Sequence, residues 1–208
     1  MKHIKNFFHL SREEDGIISK DAVILLISRF LVLALVISYL YEGTYTIMYH
    51  EIDSYVLPAE AMQYRHSLTL TQEDIDHAAE DLPQYYINID EFDDLRSAKL
   101  VIKSEDEWLP YYFPSYSIAC LPLKMLFQLA GWNQAYAFML TSAAFVVLAL
   151  IYMYRHLNVP PLFRMFAVLL FYGSPIKQYI HYLSAEAMMF SLVLISLVMY
   201  SNDHSKHD

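Results

Sequence analysis

The sequence contains little glycine, almost no cysteine and few charged residues. Four of its 208 residues are glycine, one is cysteine (Cys120), and 18% are charged. A single cysteine excludes a disulfide within the chain and a zinc site built on cysteine ligands, and such a residue usually serves as a small apolar side chain. The chain also lacks the phosphate-binding loop, the G-x-G-x-x-G motif and the G-x-S-x-G motif. Nucleotide binding and serine-hydrolase chemistry therefore have no support in the sequence.

Basic residues are scarce where acidic residues are concentrated. Residues 51–110 hold fifteen carboxylates and four basic residues, a net charge of −11, whereas the rest of the chain carries +2. This asymmetry predicts a water-exposed acidic loop set between membrane helices. It argues against a nucleic-acid partner, because binding to phosphates needs a basic surface.

What the chain has in quantity is apolar sequence, at 56% of its residues. Residues 135–154 form a run of 20 residues without a charge. A helix rises about 1.5 Å per residue, so about 20 apolar residues cross the roughly 30 Å hydrocarbon core of a bilayer. A second run at residues 22–41 contains Arg29 as its one charge, and a third at residues 187–200 follows Glu186. The predicted fold class is an all-α integral membrane protein.

The distribution of Lys and Arg orients the predicted helices. Four Lys or Arg residues precede the first apolar run, and Arg155 and Arg164 bracket the turn after residues 135–154. By the positive-inside rule both segments are cytoplasmic, which places the acidic loop outside and both termini inside. This arrangement has four spans if residues 116–130 do not cross. The predicted location is a multi-pass position in the inner (plasma) membrane of a bacterium.

Residues 116–130 are apolar but poorly suited to a full span. The segment has 15 residues, and Pro122 and Lys124 interrupt it. That length favours a re-entrant or interfacial helix, with a true span as the alternative. The predicted layout is a cytoplasmic segment at 1–21, a first membrane helix at 22–48, an acidic extracytoplasmic loop at 49–115, a re-entrant or interfacial helix at 116–131, membrane helices at 132–200 and a cytoplasmic tail at 201–208.

Local signals predict short elements within the acidic loop. Thr71 followed by Glu73 and Asp74 is typical of a helix start, with an N-cap residue and acids in the first turn. The remaining predicted features are short helices at 58–65 and 90–98, a brief strand at 100–103, a break of the third span at 173–175 and a last span at about 183–200.

Three acidic side chains stand out in this topology. Glu51 and Asp53 follow the first span directly, and Glu186 lies at the outer end of the last span. A carboxylate in a membrane helix is costly and marks a candidate functional position, and paired acids can divide the roles of base and orienting group. The alternatives are that Glu186 is shallow enough to be hydrated and that Glu51 and Asp53 simply begin an acidic loop.

The order of these motifs resembles that of membrane glycosyltransferases of the GT-C superfamily. Such proteins place an acidic pair after the first span, and here Glu51-Ile52-Asp53 matches its E-x-D form. Later features in the same order are an aromatic and proline segment at 111–116, an apolar helix with Leu121-Pro122-Leu123, a long span ending in a basic turn at 152–156, and Ser174-Pro175 and Ser184-Ala185-Glu186 before the last span.

The resemblance implies transfer of a sugar from a polyprenyl-phosphate donor to an acceptor at the outer face. It implies that Asp53, with Glu51, acts as catalytic base or orients the acceptor, and that Glu186 lies at the same interface. Charge on the departing lipid phosphate needs cations or a divalent metal ion. Lys177, and less favourably Lys124, are the cations nominated, against the alternative that Lys177 is an interfacial anchor.

Members of that superfamily usually run to twice this length or more, so the resemblance covers their N-terminal portion. One expectation is therefore a truncated, split or degenerate member that is inactive alone. The alternative function is a non-catalytic multi-pass protein that presents its acidic loop to a partner membrane protein. A third alternative is a proton or ion path through Glu186 and His181. It is the weakest of the three, because two polar groups at one interface do not form a path across a bilayer.

Overall fold

The computed structural model describes residues 20–42, 52–82, 101–104, 107–180 and 185–204, and helices dominate this part of the chain. In chain order its elements are α1 (Lys20–Glu42), α2 (Ile52–Glu60), a π-helix (Ala61–Arg65), α3 (Gln72–Asp81), β1 (Val101–Ser104), β2 (Glu107–Pro110), α4 (Ser115–Ala130), α5 (Ala135–His156), α6 (Pro161–Gly173), α7 (Ile176–Ile180) and α8 (Glu186–His204).

Five of the helices form a bundle around α5. This helix packs against α1, α6, α7 and α8, and α1 also packs against α6. The shared interior, here called the bundle core, is apolar and contains the edge-to-face ring pair of Tyr39 and Phe171. Within it the hydroxyls of Ser28 and Tyr154 are 2.8 Å apart, so the polar groups of α1 and α5 satisfy each other.

The remaining elements, residues 52–130, form a cap on one end of the bundle. In the cap α2 packs against α3 and α4, and α4 packs against α5. The cap core includes the starts of two bundle helices, through Phe138 and Met139 of α5, Met188 of α8 and Ala185 directly before α8. The cap therefore covers the end of the bundle at which α5 and α8 begin.

Most of the local predictions agree with the described elements. Thr71 is the N-cap of α3, with Glu73 and Asp74 in its first turn, as predicted. The predicted strand is β1, which pairs with β2 in an antiparallel hairpin that the sequence did not reveal. The helix predicted at 58–65 begins earlier, at Ile52, because Pro58 is accommodated inside α2. The helix predicted at 90–98 lies outside the described residues.

The ends of the long apolar helices differ in detail from the prediction. The first helix begins at Lys20 and is described to Glu42, while residues 43–48 of the predicted span lie outside the described part. The predicted break is confirmed, because α6 ends at Gly173 and α7 begins after Pro175. The predicted polar tail at 201–208 is partly helical, since α8 continues through His204.

Two helices in the described part are long and apolar enough to cross a membrane, judged by length and composition. They are residues 20–41 of α1 and residues 135–156 of α5, each of 22 residues. Helix α6 and residues 186–202 of α8 are apolar but shorter. The all-α architecture is thus present, and the arrangement with four spans stays a prediction.

Candidate functional site

The structure places two of the three predicted carboxylate positions at the same end of the molecule. Asp53 belongs to the first turn of α2, and Glu186 is the first residue of α8 and is exposed. Their neighbours Tyr55 and Met188 both belong to the cap core, so the starts of α2 and α8 lie against one apolar cluster. Glu51 lies outside the described residues.

The two cations nominated for a phosphate occupy different environments. Lys177 is half-buried in the short helix α7, which packs against both α5 and α8. Lys124 is completely buried on the inner side of α4, with a side-chain exposure of 0%. Its charge is therefore neutralised inside the cap, which makes Lys124 a poor candidate for contact with a lipid phosphate.

Lys124 is the centre of a polar cluster between α4 and the other helices of the cap. Its ammonium Nζ donates to Glu60 Oε2 at 2.9 Å, to Gln63 Oε1 at 2.7 Å and to Asp81 Oδ2 at 3.2 Å. An ammonium group carries three N–H donors, so every donor of Lys124 has an acceptor. The Nζ also lies 5.7 Å from the centre of the Tyr64 ring, which adds a cation–π contact.

The neighbours of Lys124 close a ring of hydrogen bonds around it. Gln63 Nε2 donates to Gln128 Oε1 at 2.6 Å, and Gln128 Nε2 donates to the Tyr64 hydroxyl at 2.6 Å. The Tyr64 hydroxyl in turn donates to Asp81 Oδ2 at 3.0 Å, which returns the chain of bonds to an acceptor of Lys124. This ring joins the π-helix, α3 and α4, so the cluster fixes three elements of the cap to one another.

Glu60 is the most unusual member of this cluster. Its side chain is completely buried, and its second carboxylate oxygen, Oε1, is buried without a hydrogen-bond partner. Burial raises the pKa of the Glu60 carboxyl to about 7, and the opposing effects of the Lys124 charge and hydrogen bond offset only part of that rise. Glu60 therefore exchanges a proton near neutral pH in the folded protein.

A second ion pair stabilises the start of α3. The guanidinium of Arg65 donates from Nε to Asp74 Oδ1 at 2.9 Å and from Nη2 to Asp74 Oδ2 at 2.6 Å. The same carboxylate accepts the backbone N–H of Thr71 at 2.7 Å, which completes one arm of a capping box. The buried Asp74 thus links the end of the π-helix to the N-terminus of α3.

Replacing Asp74 by asparagine is expected to lower the free energy of unfolding by about 1–2 kcal/mol. The variant loses the charge that accepts from Arg65, but Arg65 is partly exposed and regains water, which limits the loss. The measurement is denaturation of the full chain in detergent micelles. The matched control is Asp76→Asn at an exposed position of the same helix, which should change the free energy by less than about 0.5 kcal/mol. Equal effects of the two substitutions would contradict the assignment.

The geometry gives no grouping suited to a resident metal ion in the described ranges. Among these residues, no set of three or more His, Cys, Asp or Glu side chains is arranged to hold one. A carboxylate pair made by Glu51 and Asp53 cannot be tested in this way, because Glu51 is not among them. The expectation that a divalent cation assists at the donor phosphate stays a prediction.

The polar cluster of the cap was not predicted from the sequence, although the single charge in the α4 segment indicated that a buried partner exists. Lys124 is the one charged residue in an apolar helix of 16 residues, and a buried ammonium requires a partner. The partners could not be chosen, because Glu60 and Asp81 are two of the fifteen carboxylates in residues 51–110. Sequence separations of 64 and 43 residues from Lys124 give no local pattern.

Comparison of the chain with protein-family models, with curated proteins and with solved structures finds no match. The residues and their geometry therefore carry the functional argument.

Proposed function

We propose that this protein is a multi-pass membrane protein that transfers a sugar from a polyprenyl-phosphate donor at the extracytoplasmic face, acting as part of a GT-C-like glycosyltransferase. Asp53 is the proposed catalytic base and Glu51 orients the acceptor. Glu186 contributes a further carboxylate at the same extracytoplasmic end of the molecule. Lys177 or a bound divalent metal ion offsets the charge of the lipid phosphate.

One observation carries the proposal. Helix α2, which begins at Ile52 and contains Asp53, packs into the same apolar cluster as the first turns of α5 and α8. Asp53 and Glu186 therefore belong to two helices whose first turns contribute to one apolar cluster, at the end of the bundle where α5 and α8 begin. This is the arrangement that the order of the sequence motifs leads one to expect.

The polar cluster of the cap gives this arrangement rigidity. Asp53 belongs to the first turn of α2, and Glu60 is the last residue of that helix. The bond from Lys124 to Glu60 holds this end of α2 against α4, and the Ser117 hydroxyl donates to the Tyr55 carbonyl at 2.7 Å near its start. Because contacts hold both ends of α2, Asp53 can keep the position that proton transfer requires.

The proposed reaction needs a base and charge stabilisation. The acceptor hydroxyl gives its proton to the Asp53 carboxylate while its oxygen attacks the anomeric carbon of the sugar. The bond between that carbon and the donor phosphate oxygen breaks, and the lipid phosphate leaves with the electron pair. A cation near this phosphate stabilises the charge that develops on it.

The proposed membrane location is supported by the outward side of the bundle. Large apolar side chains face away from the bundle core on three helices, as hydrocarbon contact requires. The most exposed examples are Ile27, Phe30 and Ile37 on α1, Phe163 and Leu170 on α6, and Met189, Val193 and Leu197 on α8.

The test is sugar transfer by the full chain in liposomes with a panel of radiolabelled polyprenyl-phosphate hexoses and pentoses. The readout is release of polyprenyl phosphate. Asp53→Asn should lower the rate about a hundredfold, because removal of a general base costs at least that much in comparable sites. Asp76→Asn, at an exposed position of α3, is the control and should keep the wild-type rate. A rate for Asp53→Asn equal to that of the control would overturn the catalytic role.

A second candidate function is that of a non-catalytic subunit. It is favoured by the strongly acidic residues 51–110, which carry a net charge of −11 and suit a basic surface on a partner membrane protein. Extraction in a mild detergent at low and high salt discriminates between the two functions. A salt-sensitive complex without sugar transfer supports the subunit, whereas a lone chain that turns over a donor supports the enzyme.

A further inference from the structure

Helix α4 buries polar side chains and exposes apolar ones, which is the reverse of the pattern on the surface of a soluble domain. Its inward side carries the polar groups Ser117, Cys120 and Lys124, all buried. Its outward side is exposed along the helix and is mainly apolar, with Ser115 and Gln128 as the exposed polar residues. The exposed apolar side chains are Ile118 at 43%, Met125 at 50%, Leu126 at 55% and Leu129 at 87%.

Contacts at the start of α4 fix its depth relative to α5. The Tyr116 hydroxyl donates to the Phe138 carbonyl at 2.7 Å and lies 2.8 Å from the Ser142 hydroxyl. Phe138 and Ser142 stand in the first two turns of α5, which begins at Ala135. At about 1.5 Å per residue, these contacts lie roughly 5–10 Å along α5 from its start.

The other end of α4 also stays near the start of α5. The helix ends at Ala130 and is capped by Gly131, whose φ of +66° is the left-handed conformation typical of a helix C-terminus. Helix α5 begins at Ala135, four residues after Gly131. Both ends of a helix of 16 residues therefore lie near the first two turns of α5. A helix in this position runs across the end of the bundle and does not traverse it alongside α5.

We propose that α4 lies in the plane of the outer membrane interface, with its stripe of Ile118, Met125, Leu126 and Leu129 in contact with the acyl chains of the outer leaflet. This inference rests on the proposed membrane location and deepens it, because it chooses the interfacial helix over a full span. Interfacial helices bury their apolar side about 5–10 Å into the boundary between headgroups and acyl chains. The contacts of Tyr116 place the start of α4 at a comparable distance along α5, measured from the first residue of α5.

Two large aromatic side chains flank the stripe. Phe113 precedes α4 and is 79% exposed, and Trp132 follows it and is 62% exposed. Aromatic rings are enriched at the interface, where a ring can meet both hydrocarbon and headgroups. Since the exposed side of α4 carries no charge and Lys124 is turned inward, the contact needs no anionic lipid. Zwitterionic phosphatidylcholine should therefore suffice, and salt should not weaken it.

Spin labels on the full chain in phosphatidylcholine nanodiscs test this position. Labels replace Met125 and Leu129 in a Cys120→Ala background, and a label at Asp76 on the exposed side of α3 is the control. Met125 and Leu129 should be several-fold more accessible to oxygen than to a water-soluble nickel chelate, at a depth of about 5–10 Å below the phosphates. The Asp76 label should show the reverse preference.

Three outcomes would overturn the proposal. A Met125 label near the bilayer centre, at a depth of about 15 Å, would indicate a full span. Labels as accessible to nickel as Asp76 would place the stripe in water. Protection from both reagents would show that another protein chain covers it.

A second measurement avoids the cysteine substitution. Lipids brominated near the headgroup should quench the fluorescence of the wild-type protein, and the quenched fraction should disappear in Trp132→Phe, leaving Trp108. Unchanged quenching in that variant would contradict contact between Trp132 and lipid. Asp53→Asn should leave the label depths and the quenching unaltered, so failure of sugar transfer and failure of the interfacial position are distinguishable.

Discussion

Replacing Lys124 by methionine is expected to lower the free energy of unfolding by about 3–5 kcal/mol at pH 8. Methionine fills a similar volume but removes the cation that Glu60, Gln63 and Asp81 all contact. Glu60 is then a buried carboxylate without its counter-charge, and its second oxygen already lacks a partner. The loss should shrink toward pH 5, because an unpaired Glu60 takes up a proton instead of remaining charged.

Unfolding of the full chain in detergent micelles can report this effect. In a Trp132→Phe background the fluorescence comes from Trp108, whose backbone pairs with Leu70 in the cap. Arg155→Met serves as the control, since Arg155 is an exposed cation at the far end of α5. The role of Lys124 would be refuted by a loss no larger than that of the control.

The double variant Glu60→Gln with Lys124→Met measures the interaction energy between the two side chains, apart from the effect of each substitution alone. Removal of both charges leaves Asp81 as the remaining carboxylate of the cluster, and Asp81 is partly exposed and still accepts from the Tyr64 hydroxyl. The double variant should therefore be more stable than Lys124→Met alone at pH 8. Additive losses from the two substitutions would show that Glu60 and Lys124 do not interact energetically in the folded protein.

The stability of the wild-type protein is expected to fall by about 3 kcal/mol between about pH 4.5 and pH 7 through Glu60 alone. Burial raises the pKa of Glu60 from 4.5 to about 7. The folded protein therefore binds this proton more tightly than the unfolded chain does. The stabilisation is fully present below about pH 4.5 and is lost as the pH rises through the folded pKa.

Glu60→Gln isolates this contribution, because the other titrating groups are common to both proteins. The difference in unfolding free energy between Glu60→Gln and the wild type should rise with pH over this range and become constant above about pH 8. The measurement is a series of denaturation curves for both proteins at matched ionic strength. A difference independent of pH would mean that Glu60 is ionised at all these pH values in the folded state.

These two results bear on the proposed function through helix α2. Glu60 and Asp53 lie at opposite ends of that helix. If the cluster holds α2 in place, Lys124→Met should lower sugar transfer as well as stability, although Lys124 is completely buried and has no exposed atom to contact a donor. We treat Lys124 and Glu60 as positioning residues for this reason, and as distinct from Asp53.

Much of the local structure was predictable because its causes are local. The start of α3 follows from Thr71 and Asp74, whose side chain and backbone groups lie within one helical turn. The break between α6 and α7 follows from Gly173-Ser174-Pro175, since proline cannot continue the hydrogen bonding of the preceding helix. The long apolar helices α1 and α5 likewise follow from uninterrupted hydrophobic runs.

The packing of the cap was not predictable in the same way. The apolar segment that became α4 contains one charged residue, so the orientation of the helix depends on which partner accepts the Lys124 ammonium. Glu60 provides that acceptor from 64 residues away. The strand β2 was missed because residues 107–110 carry no separate strand signal, and its pairing with β1 is seen in the structure.

The amino-acid sequence by itself determined the two long apolar helices, the capped start of α3 and the break between α6 and α7, because apolar length, capping and proline act over a few neighbouring residues. Tertiary structure alone decided which of fifteen loop carboxylates neutralises Lys124 and which side of α4 is left exposed. Those outcomes depend on burial, and burial raises the cost of an unpaired charge only once distant segments have excluded water from around it.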